Sequence, residues 1–137
     1  MKMTYDEARQ YIKEASKAGI RPGLSCMREL CRRLGNPQDG LNIIHIAGTN
    51  GKGSTAAYLS SIWGVNGYLT GRYVSPAVFC YEECIQYEDM DGVHYIDKDL
   101  LTELIGEVAE AAEEMVKDGW QHPTTFELET AVSFLAF

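Results

Sequence analysis

Apolar residues recur every three or four positions towards both ends of the chain, which is the spacing of an amphipathic helix. Near the start, this spacing predicts a helix after the capping-box pattern Thr4-x-x-Glu7 and a second helix over 24–34, which Gly35-Asn36-Pro37 ends. Near the end, it predicts a long helix that Asp97 caps and a last helix over 124–137.

Shorter apolar runs occupy the middle of the chain and predict strands. Residues 41–47 predict a buried strand, 68–74 a second one, and 83–87 with 93–96 a pair joined by a turn. A helix that begins near Ser54 is predicted between the first two strands. Because this order of elements is typical of α/β proteins, we predict an α/β fold with a mostly parallel, P-loop-type sheet flanked by helices.

Length and composition point to a soluble globular protein. The 137 residues suffice for one domain with a core, and the chain is 45% hydrophobic and 23% charged. No apolar run approaches membrane-spanning length and no signal peptide opens the chain, so we expect a cytoplasmic protein with no membrane partner. The apolar ending TAVSFLAF is unlike the usual polar terminus, so we expect the chain to be part of a larger domain.

Charge is unevenly distributed. The net charge of −8 divides into +3 over residues 1–40, +2 over 41–80 and −13 over 81–137. The acidic total argues against a nucleic-acid partner. The middle third carries Lys52 and Arg72 and no acid, so it is the region that tolerates a bound anion. We expect the four cysteines to be reduced packing residues, not a zinc site or disulfides.

The stretch HIAGTNGKGSTA, residues 45–56, has the features of a phosphate-binding loop. Gly48, Gly51 and Gly53 let the backbone curl so that successive N–H groups converge on an anion. The following helix directs its free N–H groups and positive dipole end to the same place, and Lys52 adds a mobile charge. This combination predicts a triphosphate site.

The strict G-x-x-x-x-G-K-[ST] pattern is not met. Ile46 stands where the first glycine is expected, and Gly53 separates Lys52 from Ser54. The alternative interpretation is a tight strand-to-helix turn that happens to contain lysine. The position of the loop before a predicted helix, in an acid-free region, favours the phosphate interpretation.

Four segments in order resemble the Mur ligase superfamily, and in particular the folylpolyglutamate synthase and dihydrofolate synthase family. They are GIRPGLSCMRELCRRLGNPQ, HIAGTNGKGS, GYLTGRYVSP and PTTFELETAVSFLAF. The resemblance implies an ATP-dependent ligase that adds L-glutamate to folate or dihydropteroate through an acyl phosphate. It also implies ATP and Mg²⁺ as cofactors and a monomer when full length. Residues 1–137 would be the N-terminal part of the ATP-binding domain, close to inactive alone.

The resemblance also implies roles for individual residues. Lys52 would bind the β- and γ-phosphates, Ser75 would ligate magnesium, and further contacts to ATP would come from Gly48, Thr49, Asn50, Gly51, Gly53 and Ser54. Glu127 would be a second magnesium ligand, and its apolar neighbours support this role because a carboxylate among them needs a cation. The alternatives are a turn serine at Ser75 and a capping box, Thr124-x-x-Glu127.

Two short segments depart from the family pattern. Ala77 and Val78 follow Ser75-Pro76 where the family usually has His-Leu, and Cys84 stands where it often has Arg. These departures keep a non-catalytic nucleotide-binding module open as an alternative. A cell-wall ligase acting on a UDP-sugar peptide is the other alternative, and the glycine after Lys52 favours the folate branch over it.

Overall fold

The computed structural model of the chain describes residues 2–19 and 22–137. Ile20 and Arg21, which belong to the first segment of the family resemblance, lie outside the described residues. The chain divides into two compact units, Met1–Leu41 with Lys98–Phe137 and Asn42–Asp97. In chain order, the elements are α1 (Tyr5–Ala15), α2 (Ser25–Arg33), α3 (Lys52–Val65), β1 (Thr70–Tyr73), β2 (Ile85–Asp89), β3 (Gly92–Tyr95), α4 (Lys98–Lys117) and α5 (Thr125–Ala136), with short 3₁₀ turns at Ser16–Ala18, Pro37–Gly40 and Tyr81–Cys84.

The first unit is helical and is built around α4. This helix packs against α1, α2 and α5, and its inner face is buried at helical spacing. The buried side chains from the four helices include Ala8 of α1, Leu30 of α2, Leu128 of α5, and Ile105, Val108 and Met115 of α4. The amphipathic spacing in the sequence therefore predicted these helices correctly.

Two capping boxes begin helices of this unit. The Thr4 hydroxyl accepts the Glu7 N–H while the Glu7 carboxylate accepts the Thr4 N–H, and Thr124 and Glu127 repeat the arrangement at the start of α5. Each box satisfies helix N–H groups that have no partner within the helix. Both predicted boxes are confirmed.

The second unit is a three-stranded sheet with α3 packed on β1 and β2. β1 pairs antiparallel with β2, with Tyr73 opposite Ile85, and β2 pairs antiparallel with β3, with Asp89 opposite Gly92. β2 and β3 form the predicted hairpin. β2 begins at Ile85, two residues after the predicted start at position 83. Close packing of α3 on the sheet depends on Gly64, where an added Cβ would lie 2.9 Å from the Asp89 carbonyl oxygen.

The combination of helices and sheet confirms the predicted α/β class, but the structure does not confirm a parallel sheet. Residues 41–47 form no strand, and Ile43 and Ile44 are 55% and 59% exposed where a buried strand was predicted. All strand pairs in the described part of the chain are antiparallel. The apolar run predicts burial, but a strand forms only where a neighbouring backbone pairs with it.

The cysteines are all free thiols. Cys31 and Cys84 are buried and fill the packing role that the sequence predicts, whereas Cys80 is exposed and the same prediction is wrong for it. Exposure of Cys80 follows from its place in the loop between β1 and β2, outside both helices and strands.

Candidate nucleotide and metal site

The glycine-rich loop leads directly into α3. The helix begins at Lys52, two residues before the predicted start at Ser54, and its N-cap is Gly51. Gly51 has φ of 79°, the left-handed conformation that glycine adopts without steric cost, and no side chain caps the helix. The N–H groups of the first turn, from Lys52 to Ser54, therefore point out of the helix end without an intrahelical acceptor.

Lys52 lies over this loop. Its ammonium Nζ donates to the Gly48 carbonyl oxygen at 2.5 Å, so the side chain folds back along the loop. The N–H and the hydroxyl of Thr55 both donate to the Gly51 carbonyl oxygen, each at 2.9 Å. A cation and a set of outward-facing N–H groups are thus placed within one short turn.

The electrostatic surroundings of the loop suit an anion. The first turn of α3 contains no acidic residue, and the positive end of the helix dipole is directed at the loop. Residues 47–55 are all exposed, so a ligand has open access to them. This arrangement is the one that phosphate groups use at helix N-termini.

Ser75 is the second residue of the loop that leaves β1. The base of this loop is tied by the Val74 N–H, which donates to the Cys84 carbonyl oxygen at 2.9 Å. Ser75 is exposed, and the peptide bond from Ser75 to Pro76 is cis. Further along the loop, the buried Glu83 carboxylate accepts the N–H groups of Val78 and Phe79.

Glu127 lies at the third position of α5 and is half-buried. Its carboxylate oxygen Oε2 accepts the Thr124 N–H at 2.8 Å and the Thr124 hydroxyl at 2.9 Å. Both of these bonds use the same oxygen, so one oxygen of the carboxylate holds the cap. The capping role is therefore shown, and the carboxylate retains lone pairs for a cation.

The structure assigns the predicted site residues to both units. The loop residues Gly48, Thr49, Asn50, Gly51, Lys52, Gly53 and Ser54 belong with Ser75 to the unit of residues 42–97, and Glu127 belongs to the other unit. Oxygen ligands such as the Ser75 hydroxyl and the Glu127 carboxylate are of the type that Mg²⁺ prefers. The oxygen chemistry of each of these two side chains, taken singly, therefore fits magnesium.

Two polar arrangements were not predicted from the sequence. One is the Glu83 carboxylate on the Ser75 loop, for which the sequence offers no signal beyond an acid at the first residue of the predicted strand 83–87. The other joins Tyr11 to His122, whose Nε2 lies 2.8 Å from the phenol oxygen. The Tyr11 hydroxyl also donates to Glu113 Oε1 at 3.4 Å, and burial, followed by this carboxylate, raises the pKa of Tyr11.

No protein-family model matches the chain. The dihydrofolate synthase/folylpolyglutamate synthase of Bacillus subtilis is 36% identical over 133 residues, which cover 97% of this chain and 30% of that protein. Among solved structures, the folylpolyglutamate synthase of Thermotoga maritima matches with a TM-score of 0.85 and 33% identity, covering 97% of this chain and 30% of that one. The folylpolyglutamate synthetase of Lactobacillus casei matches with a TM-score of 0.88 and 29% identity, covering 98% and 33%.

These similarities run through nearly all of the chain, whereas the chain spans about a third of the length of these three proteins. Among the described residues, no helix combines the length and apolar character needed to cross a membrane. The matches confirm the resemblance that the glycine-rich loop and its flanking segments indicate. The chain is homologous to one part of the folylpolyglutamate synthase and dihydrofolate synthase family.

Proposed function

We propose that the full-length protein carrying this chain is an ATP-dependent ligase that adds L-glutamate to folate or dihydropteroate. The observation that carries the proposal is the Gly51–Lys52 turn at the start of α3, within a chain homologous to these synthases. A related synthase structure, with a TM-score of 0.82 and 28% identity, is a complex with AMPPCP and folate. Residues 1–137 would be the N-terminal part of the ATP-binding domain.

In this proposal the loop binds the triphosphate. The outward-facing N–H groups from Lys52 to Ser54 would donate to phosphate oxygens, and Lys52 would exchange its contact with the Gly48 carbonyl for the β- and γ-phosphates. A carboxylate of the folate or pteroate substrate would attack the γ-phosphorus and form an acyl phosphate, with ADP leaving. The amine of L-glutamate would then displace phosphate and form the amide.

Charge builds up on the phosphoryl oxygens during the first of these steps, so the residues that stabilise it decide the rate. Lys52 and the N–H groups of the α3 turn would do so directly. Ser75 and Glu127 would hold a magnesium ion, which supplies further positive charge at the phosphates when bound. A parallel sheet in the complete domain, monomeric state and a cytoplasmic location are also part of the proposal.

The proposal is tested with the purified full-length protein. Phosphate release is measured with ATP, Mg²⁺ and L-glutamate, in the presence of dihydropteroate, of tetrahydrofolate, or of neither. We expect release that depends on one of the two acceptors and on glutamate. The rate of phosphate release by the Lys52→Ala variant should be at least about 100-fold lower, since removing one preorganised charge stabiliser has that order of effect.

A matched control is Lys98→Ala, because Lys98 also begins a helix but belongs to α4. We expect this variant to retain the activity. ATP binding without release on either acceptor would contradict the ligase proposal and favour a non-catalytic nucleotide-binding module. Release that depends on a UDP-sugar peptide would favour the cell-wall alternative.

A further inference from the structure

The loop that carries Ser75 is held by hydrogen bonds to its backbone. It runs from Val74 to the 3₁₀ turn Tyr81–Cys84, and the side chains of Val78 and Phe79 are 77% and 91% exposed. These two side chains therefore contribute almost no apolar burial that would fix the loop. Another interaction has to hold the part of the loop that contains Val78 and Phe79.

The Glu83 carboxylate supplies that interaction. Glu83 is 7% exposed, and its Oε1 atom accepts the N–H of Val78 and, at 3.1 Å, the N–H of Phe79. Hydrogen bonds from two backbone N–H groups to one carboxylate are charge-assisted and stronger than bonds between neutral groups. They bind the loop three and four residues beyond Ser75.

Glu83 itself is fixed to the sheet. Its carbonyl oxygen accepts Gln86 Nε2 at 2.6 Å, and the Gln86 side-chain oxygen accepts a guanidinium N–H of Arg72 on β1. Arg72 and Gln86 face each other in the β1–β2 register. A continuous set of hydrogen bonds thus links β1, Glu83 and the loop.

We infer that Glu83 is a positioning residue for Ser75. Val74 fixes the loop on one side of Ser75, through its bond to the Cys84 carbonyl, and Glu83 fixes it on the other side. This inference rests on the proposed function, because it takes Ser75 to be a magnesium ligand. Partners that orient a metal ligand typically change metal affinity by about 10- to 100-fold when they are removed.

The test is a magnesium titration of nucleotide binding by the full-length protein, with ADP as the probe. Glu83→Ala should raise the half-saturating Mg²⁺ concentration by about tenfold. Glu83→Gln keeps an oxygen acceptor for the two N–H groups and should restore most of the affinity. In a Ser75→Ala background, Glu83→Ala should have little further effect, because the ligand that it positions is already gone.

Glu29→Ala is the matched control. The Glu29 side chain is 11% exposed, but it lies on α2 in the other unit and its partners are Arg32 and Arg33. We expect this variant to lower stability without changing the magnesium dependence. If Glu83→Ala does not fold, Glu83→Asp replaces it, since it withdraws the carboxylate from the loop by one methylene.

An unchanged half-saturating Mg²⁺ concentration in Glu83→Ala would overturn the inference. So would an equal increase in that concentration when Glu83→Ala is introduced into the wild type and into Ser75→Ala. Hydrogen exchange of the Val78 and Phe79 amides gives a second, function-independent readout. Faster exchange confined to these amides in Glu83→Ala supports the loop contact, and unchanged exchange overturns it. If Ser75→Ala alone leaves the magnesium dependence unchanged, the magnesium role in the proposed function fails, and the exchange data still decide whether Glu83 holds the loop.

Discussion

The carboxylate of Glu127 accepts both the N–H and the hydroxyl of Thr124, at 2.8 and 2.9 Å, so a candidate magnesium ligand is also half of a capping box. The Thr4–Glu7 pair has the same arrangement at 2.7 and 2.9 Å on α1. The chain therefore contains one capping box at a candidate metal position and one without that role. Comparing the two separates capping from metal binding.

We expect Glu127→Gln to keep the cap and lose the metal. Glutamine at this position still accepts the Thr124 N–H, so the free energy of unfolding should change by less than about 0.5 kcal/mol. Ligase activity should fall at least 10-fold, because a neutral amide is a poor magnesium ligand. Glu127→Ala should lose activity and also destabilise by roughly 1 kcal/mol.

Denaturant unfolding and phosphate release measure these two effects in the full-length protein. Glu7→Gln and Glu7→Ala are the controls, since they alter the equivalent cap on α1 and should leave activity in place. Full activity in Glu127→Gln would show that Glu127 serves the helix cap alone.

Gly64 is expected to tolerate no larger residue. The Cβ of Gly64→Ala would lie 2.9 Å from the Asp89 carbonyl oxygen and 3.3 Å from its carbon, both backbone atoms that cannot rotate away. We expect a loss of about 1–3 kcal/mol in the free energy of unfolding, measured in urea. The comparison is Gly53→Ala in the same helix, where the added methyl meets nothing within 4 Å. That variant should gain roughly 0.5–1 kcal/mol, and equal effects at the two positions would contradict the packing argument.

The pH dependence of stability should show a contribution from Glu29. Hydrogen bonds from Arg32 and Arg33 lower the pKa of Glu29 from 4.5 to about 2. A lowered pKa means that the charged form is favoured in the folded state, so the stabilisation is present above pH 4.5 and is lost as the pH falls towards 2. Wild type should therefore exceed Glu29→Gln in stability at pH 7, and the difference should shrink across that window.

Urea unfolding of both proteins at intervals between pH 7 and 2 measures this difference. Glu103→Gln, at an exposed position on α4, removes the same charge and is the control. Added salt should reduce the Glu29 effect, because the pair with Arg32 is exposed on the arginine side. A difference that is constant with pH would contradict the ion-pair explanation.

Ser60 should contribute to the packing of α3 on the sheet. Its hydroxyl, 2% exposed, donates to the Glu88 carboxylate, and Arg72 Nη1 lies 3.8 Å from the same oxygen. Ser60→Ala removes a donor from a buried carboxylate and should cost about 1–3 kcal/mol. Ser61→Ala, at an exposed position on the same helix, should change stability by less than about 0.5 kcal/mol. Equal effects of the two substitutions in thermal unfolding would contradict this role.

Local patterns were sufficient to predict much of the chain. Both capping boxes and the turn into α3 depend on residues within about four positions of one another, and the structure confirms the two boxes and a helix directly after the glycine-rich loop. The glycine-rich loop and its flanking segments were also enough to identify the family. The helix start at Lys52 differs from the predicted Ser54 because Gly51 at positive φ makes the N-cap, a conformation that spacing alone does not specify.

Tertiary structure decided the features that join distant residues. Strand direction depends on which backbone segments pair with each other, and an apolar pattern does not specify this. The sequence therefore could not show that the described strands pair antiparallel. The hydroxyl that donates to the Glu88 carboxylate belongs to Ser60, 28 residues away, and nothing in either local sequence indicates it. Glu83 reads as one more acid in a strongly acidic segment, and only the fold shows that its carboxylate binds the loop that carries Ser75. The physical reason is that burial and hydrogen bonding give an acid its role, and both are set by the packing around it.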